Sequence, residues 1–292
     1  MKDSTKGLLM VIISGIVFGA MPGAVTLCYG QGAVPELMVF FRYATLTLVL
    51  VPFIIKEKGT WKIYKAHFFE FLLLSIVGVA TPLLLYTAYH HMATGLVTTV
   101  HFLYPAIVVL LSVVFLKEKM SVLRIVALVL SLAGIIVMAD FSGQISLVGI
   151  LVTLASAVTW ALYVVLLHRV KVPGISSIQI LFFVSINSLA LMGIYGFATG
   201  AFQSAIPGVT WLGWILMPAV SLVIAVFGSA FFAFGVRKTD AQLSSIASTL
   251  EPIVSILVGI IFLKEGFTAR TIIGCVLVLA AVVLLALPEK KK

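Results

Sequence analysis

Charge is what this sequence has least of: Asp, Glu, Lys and Arg make up 10% of its 292 residues, against roughly 25% in an ordinary soluble domain. That shortage excludes a soluble globular enzyme. Acidic residues are the scarcer sign, 10 against 19 Lys and Arg. In a soluble chain the surplus of base would suggest a nucleic-acid partner, but here the basic residues sit in turns between apolar runs, where they set topology and read no nucleic acid. Cysteine is almost missing. Cys28 ends one apolar run and Cys275 lies inside another, without metal-ligand spacing or a disulfide framework, so neither a metal nor another cofactor is expected. No lipidation motif stands at either end, and no small-residue cleavage site follows the first run, Gly7 to Leu27, which reads as a retained helix.

What fills the space is hydrophobic, 62% of the chain. Ten apolar runs can be marked, at about 7–28, 35–54, 69–89, 94–116, 122–139, 146–168, 176–198, 211–235, 241–263 and 268–287, each near the length that crosses a hydrocarbon core of about 30 Å. They are continuous, so helices are expected and a β-barrel is not. With the N-terminus inside, the cytoplasmic loops receive Lys2, Lys6, Lys56, Lys58, Lys62, Lys65, Lys117, Lys119, Arg124, Arg169, Lys171, Arg237, Lys238 and the tail Lys290 to Lys292, leaving only Lys264 and Arg270 outside. That asymmetry fixes both termini in the cytoplasm and requires an even number of spans.

A shift of 147 residues superposes the segment from Leu103 to Ala139 on that from Leu250 to Ala286 without a gap. Pro105 falls on Pro252, and Phe115-Leu116-Lys117-Glu118 recurs as Phe262-Leu263-Lys264-Glu265. Five spans per half is an odd number, so equivalent segments face opposite sides of the membrane. The fold expected is therefore an all-α membrane protein of ten transmembrane helices, built as two inverted five-helix repeats over 7–139 and 146–287. The inversion explains why Lys264 breaks the charge rule.

A ten-helix chain with a proline in the middle of helices four and nine, a Leu-Lys-Glu ending to each, Arg42 within Phe40-Phe41-Arg42-Tyr43, and matching stretches Leu83 to Pro105 and Ala230 to Pro252 resembles the EamA family of the drug/metabolite transporter superfamily. The resemblance covers nearly the whole chain. It implies a metabolite carrier with a central cavity between the halves, helices five and ten at the periphery, and frequent use as an exporter of amino acids or related compounds.

Glu251 stands out, roughly 15 Å from either end of helix nine at 1.5 Å per residue. A carboxylate there costs about 2.5 to 3.5 kcal/mol unless a cavity, a partner or a proton relieves it. Ser244, Ser248 and Ser255 lie at i−7, i−3 and i+4 and are expected to share its face. The stripe reads as a proton-exchanging or amine-binding site, or else as a structural hydrogen bond between helices. Its counterpart under the shift is Tyr104, with His101 one turn earlier as a titratable group that would couple transport to protons or be a buried neutral histidine. Arg42 lies about 10 Å in from the outer end of helix two, where it would receive a substrate carboxylate, pair with Glu251, or snorkel to the interface. A structural or gating role by snorkelling is favoured.

Trp160, Tyr163 and Tyr86 would furnish an aromatic wall or merely pack. Gly15, Gly19 and Gly23 form a small-residue stripe for close packing or bending, with Pro22 near its outer end. Pro82, Pro105, Pro218 and Pro252 mark helices that line the interior, and hinges are read at the same places. His90 and His91 read as an interfacial pair, and Trp61, Trp211 and Trp214 as interfacial anchors. Glu70, Glu118, Asp140 and Glu265, at helix ends, read as solvated or paired with neighbouring Lys. Small residues on a peripheral helix, Ser131, Ala133 and Gly134, leave room for a homodimer.

These features point to a secondary transporter with a small-molecule substrate, protons as a candidate co-substrate and the lipid bilayer as its surroundings. An intramembrane enzyme on a lipid would need a nucleophile, metal cluster or phosphate-binding set at one face, and a channel would need charged rings or a filter. None is visible. An acid with Tyr and His near the midplane suits amino acids first, organic cations or drugs second. Topology is tested with single cysteines in intact cells: one at Lys119 is expected to be shielded from an impermeant thiol reagent and one at Gly266 labelled, whereas equal labelling of both would refute the inversion.

Overall fold

The computed structural model describes residues 3–57, 60–92, 94–117, 119–138, 146–170, 172, 174–263 and 269–286. Among these there is no strand. The chain forms α1 (Asp3–Tyr29), α2 (Pro35–Ile54), α3 (Thr60–Ala66), α4 (Phe68–Ala88), α5 (Thr94–His101), α6 (Tyr104–Leu111) running into a π turn at Ser112–Leu116, and α7 (Val122–Met138). It continues with α8 (Leu147–Arg169), α9 (Ser177–Ala198), α10 (Ala201–Ala205), α11 (Trp211–Val223), a π segment at Ile224–Ala230, and α12 (Phe231–Lys238). Last come α13 (Ala241–Ala247), a 3₁₀ turn at Ser248–Leu250, α14 (Glu251–Leu263) and α15 (Ala269–Ala286). Among the described residues, 7 helical stretches are long and apolar enough to cross a membrane, with shorter apolar helices at Val122–Val137 and Ile272–Leu284. This is the architecture of a multi-pass membrane protein.

Two proline positions shape it. Pro105 and Pro252 lack an N–H, and their rings crowd the carbonyls of His101 and Ser248 four residues earlier. The helix of 94–116 accordingly breaks at Phe102–Leu103 and that of 241–263 at Ser248–Leu250, the same place under the 147-residue shift. Each proline then becomes the second residue of a new helix, where its missing N–H costs nothing. Pro22, Pro52, Pro82 and Pro218 lie inside unbroken helices. Polar residues mark other starts: Ser146, Thr210 and Asp240 each accept from a backbone N–H three residues on, and Ser176 closes a capping box with Gln179.

The helices pack α2 on α9, α4 on α8 and α9, and α1 on α12 and α14. The glycine stripe makes the last of these possible. A methyl on Gly19 would lie 2.5 Å from the Glu251 carbonyl oxygen and 2.7 Å from Val254 Cβ, while on Gly15 it would meet Glu251 Cγ at 3.6 Å and on Gly23 Val258 Cγ1 at 3.8 Å. On the far side α7 packs along α15, and a methyl on Gly134 would approach the Gly274 carbonyl oxygen to 2.7 Å. Ser131 is fully buried. Ser131 and Gly134 are thus covered from within the same chain.

Two short helices escaped the sequence reading. α3 precedes α4, its Trp61 more than half exposed and Tyr64 donating to Asn187 Oδ1 at 2.6 Å. Asp140, Glu118, Glu265 and the Lys290 to Lys292 tail lie outside the described residues. The packing makes a contrast testable: Gly19→Leu is expected to destabilise by about 1–3 kcal/mol through overpacking, whereas Gly15→Ala should leave the melting temperature in detergent unchanged or slightly higher. Equal tolerance of both would contradict the close approach of α1 to α14.

Candidate functional site

The interior of the bundle holds a cavity walled by α1, α2, α4, α5, α8 and α14. Its polar lining is Arg42, Thr81, Tyr89, Thr98, His101, Glu251 and Ser255, and its apolar lining includes Phe18, Met21, Leu85, Phe102 and Trp160. A smaller space adjoins it, with Tyr43, Gly78, Tyr163, Ser229 and Phe232 among its walls. Arg42 and Trp160 belong to both. They form the partition between the two.

Glu251 opens α14, immediately after the helix break. The positive end of the α14 dipole lies at this residue and favours a carboxylate there. Ser255, one turn on along the same unbroken helix, shares the cavity. Ser244 and Ser248 do not. Both are fully buried, Ser244 Oγ lying 2.6 Å from Thr239 Oγ1 and Ser248 donating to the Ser244 carbonyl at 3.0 Å. The face expected from i−7 and i−3 spacing assumes one continuous helix, and the 3₁₀ turn at Ser248–Leu250 rotates the preceding residues away.

Arg42 is 7% exposed, so the expected reach to the outer interface is not taken. Its Nη2 donates to Ser229 Oγ at 2.9 Å and Nη1 to the Tyr86 hydroxyl at 3.4 Å, and its guanidinium carbon lies 5.4 Å from the centre of the Phe18 ring. Tyr86 gives its own proton to Met21 Sδ at 3.2 Å. Arg42 Nε is buried with no acceptor. Every hydrogen-bond and ring partner of this cation is neutral. Among the described residues the ion pairs are His67–Glu70 and Arg124–Asp240, so Arg42 and Glu251 line one cavity without pairing.

His101 Nδ1 lies 2.8 Å from Ser156 Oγ, whose hydroxyl points to the Thr153 carbonyl at 2.7 Å. With the serine proton engaged there, the histidine is the donor, and its Nε2 is left as an acceptor. Tyr104 is fully buried behind the cavity wall, its hydroxyl without a hydrogen-bond partner. Its ring lies 5.4 Å from His101 and edge-on to Trp160 at 6.3 Å. Trp160 is the hub of the aromatic cluster, stacked on Tyr163 at 5.3 Å, tilted on Phe232 at 4.8 Å and edge-on to Phe18 at 6.1 Å. Tyr86 stands behind Arg42 instead of joining that wall.

Away from the cavity, His90 stacks on Tyr29 at 4.7 Å and His91 is exposed. No cluster of three or more metal-ligating side chains occurs among the described residues. Glu70 pairs with His67 at 3.2 Å and its side chain is more than half exposed, as a solvated helix-end acid would be. Trp211 and Trp214 lie exposed at the start of α11. The sequence reading missed Phe18, Tyr89, Thr98 and Ser229. Phe18 was discoverable from its place between two stripe glycines, and Ser229 only from the π segment that turns it towards Arg42.

Comparison with known proteins completes the description. The model of the EamA-like transporter family matches residues 5–139 and again residues 147–287. The uncharacterized transporter YvbV of Bacillus subtilis is 27% identical over 252 residues, 84% of this chain and 79% of its own. The chloramphenicol-sensitive protein RarD of Pseudomonas aeruginosa is 26% identical over 281 residues, 91% of this chain and 89% of its own. A solved crystal structure superposes with a TM-score of 0.75 over 96% of this chain and 98% of its own, at 16% identity, a likeness of fold alone.

A buried cation without an ion-pair partner carries a desolvation cost that its neutral contacts offset only in part, and an apolar side chain of similar length does not incur that cost. Arg42→Met is therefore expected to leave the melting temperature in detergent unchanged or raise it. A fall of many degrees would show that the guanidinium holds the fold together.

Proposed function

We propose that the chain, which belongs to the EamA-like transporter family, is a secondary carrier that moves small zwitterionic metabolites, amino acids foremost, across the cytoplasmic membrane by alternating access. One observation carries the substrate class: Arg42 and Glu251, of opposite charge, line the same cavity without an ion pair. A buried charge needs compensation. An amino acid supplies both halves at once, its carboxylate to the free edge of Arg42 and its ammonium to Glu251, while Phe18, Phe102 and Trp160 offer apolar surface to its side chain. His101 and Glu251 are the groups through which a proton would be exchanged. The export direction rests on what the family resemblance implies.

The ten-span inverted repeat that alternating access requires has three supports. The family model matches twice in tandem. The breaks before Pro105 and Pro252 coincide under the 147-residue shift. The packing is also self-consistent under exchange of the two halves: α4 on α8 maps onto α1 on α12, α6 on α8 onto α1 on α14, and α4 on α9 onto α2 on α11, while α2 on α9 and α7 on α15 map onto themselves.

An organic cation is the second reading, favoured by the aromatic wall beside a single acid. Arg42 separates the two, since it attracts a carboxylate and repels a cation. In counterflow of labelled amino acids into proteoliposomes, Glu251→Gln and Arg42→Met are each expected to lower uptake on the order of 10- to 100-fold, the scale of one charge-assisted contact. Uptake of a cation that improves in Arg42→Met would establish the second reading, and amino-acid uptake indifferent to both substitutions would refute the two-charge site.

A further inference from the structure

The two broken helices are equivalent in sequence and unlike in surroundings. On α5 and the turn after it, Thr98, His101 and Phe102 line the large cavity. Their counterparts under the 147-residue shift, Ser245, Ser248 and Thr249, are each 0% exposed. One end of the bundle is hollow and the other is shut.

At the shut end a polar contact crosses between the two halves of the chain. Arg124, in the first turn of α7, donates from Nη2 to Asp240 Oδ2 at 2.9 Å and from Nη1 to Asp240 Oδ1 at 3.1 Å, with Gln242 Oε1 at 3.3 Å. This is the two-pronged geometry of a strong ion pair. Asp240 simultaneously caps α13, accepting from Leu243 N at 2.7 Å, so the pair grips the very segment that carries Ser245, Ser248 and Thr249. Under the shift Arg124 and Asp240 correspond to Thr271 and Ala93. Neither can carry a charge, and among the described residues no ion pair stands at the corresponding positions of the hollow end.

We propose that Arg124–Asp240 is a one-sided latch that holds this end closed at rest, and that its release turns Ser245, Ser248 and Thr249 into the lining of a second cavity opening at the opposite end from the first. The latch rests on the alternating-access reading above and adds to it which state is favoured and what favours it. Breaking the pair is required for the site to reach the Arg124 side, and with Thr271 and Ala93 at the equivalent positions the reverse movement breaks no corresponding pair. The resting population is then biased towards the state in which the Thr98 end is hollow, by as much as the pair is stronger closed than open.

The test uses the full chain in lipid nanodiscs, where reagent reaches both faces, with Cys28→Ala and Cys275→Ala as background. Single reporters Ser245→Cys and Thr98→Cys are labelled by a soluble maleimide with no substrate present. Arg124→Gln, and independently Asp240→Asn, which keeps a capping oxygen for α13, are expected to raise labelling at position 245 on the order of tenfold and to lower it at position 98. Arg124→Lys, retaining the charge, should lie close to the parent. Unchanged labelling at position 245 in both neutral variants would overturn the latch. A rise at both reporters would also overturn it, because it would report general loosening in place of exchange between two states. Since no substrate enters the measurement, reciprocal labelling in a protein that fails amino-acid counterflow would refute the substrate reading and leave the latch standing.

Discussion

In hydrocarbon, a backbone carbonyl without a partner or a side chain with a full charge has no water to turn to, and each costs several kcal/mol. The places where this chain incurs such costs converge on one interior. Pro105 and Pro252 interrupt their helices beside the cavity, Arg42 and Glu251 line it, and His101 closes one wall. Lipid-facing surfaces of α7 and α15, by contrast, carry Val, Ile and Leu. The break before Glu251 is more than a disruption, because it creates the helix N-terminus whose dipole favours a carboxylate at that position.

Close packing and aromatic contacts then fix where these groups stand. Gly15, Gly19 and Gly23 bring α1 against the half-helix bearing Glu251, and Phe18 from the same stretch faces both Arg42 and Trp160. Met21, also on α1, receives the proton of the tyrosine that supports Arg42. A single helix thus positions both charges of the cavity. That arrangement leaves the guanidinium with neutral hydrogen-bond partners and a buried Nε without an acceptor.

Much of this was legible in the sequence, and the failures have physical causes. The long apolar runs fell within a few residues of the helices, apart from α1, which begins at Asp3, and the stretch ending at Lys238. Charged residues were tolerated there because they sit at helix ends. α3 and α10, of 7 and 5 residues, are too short to show a period. Glu251, Arg42, His101 and Trp160 were recognisable because ionisable and large aromatic groups are conspicuous among aliphatic ones. Helical rise gives depth but not direction, so the height of Arg42 was readable and its inward orientation was not. Ser244 and Ser248 were misplaced for a related reason: angular spacing holds only along an unbroken helix, and the proline that signalled the break also destroyed the register. The Arg124–Asp240 pair joins residues 116 positions apart and left no local trace.

The central claim is that one cavity recognises both charges of a zwitterion, and equilibrium binding tests it most directly. Purified protein in detergent is titrated with a labelled amino acid that it transports, in competition with the matching amine that lacks the carboxylate and the matching acid that lacks the ammonium. The account predicts that both analogues compete at least about tenfold more weakly than the amino acid, the equivalent of one lost charge contact each. Competition by the amine equal to that of the amino acid would contradict it, leaving Glu251 as the sole charged determinant.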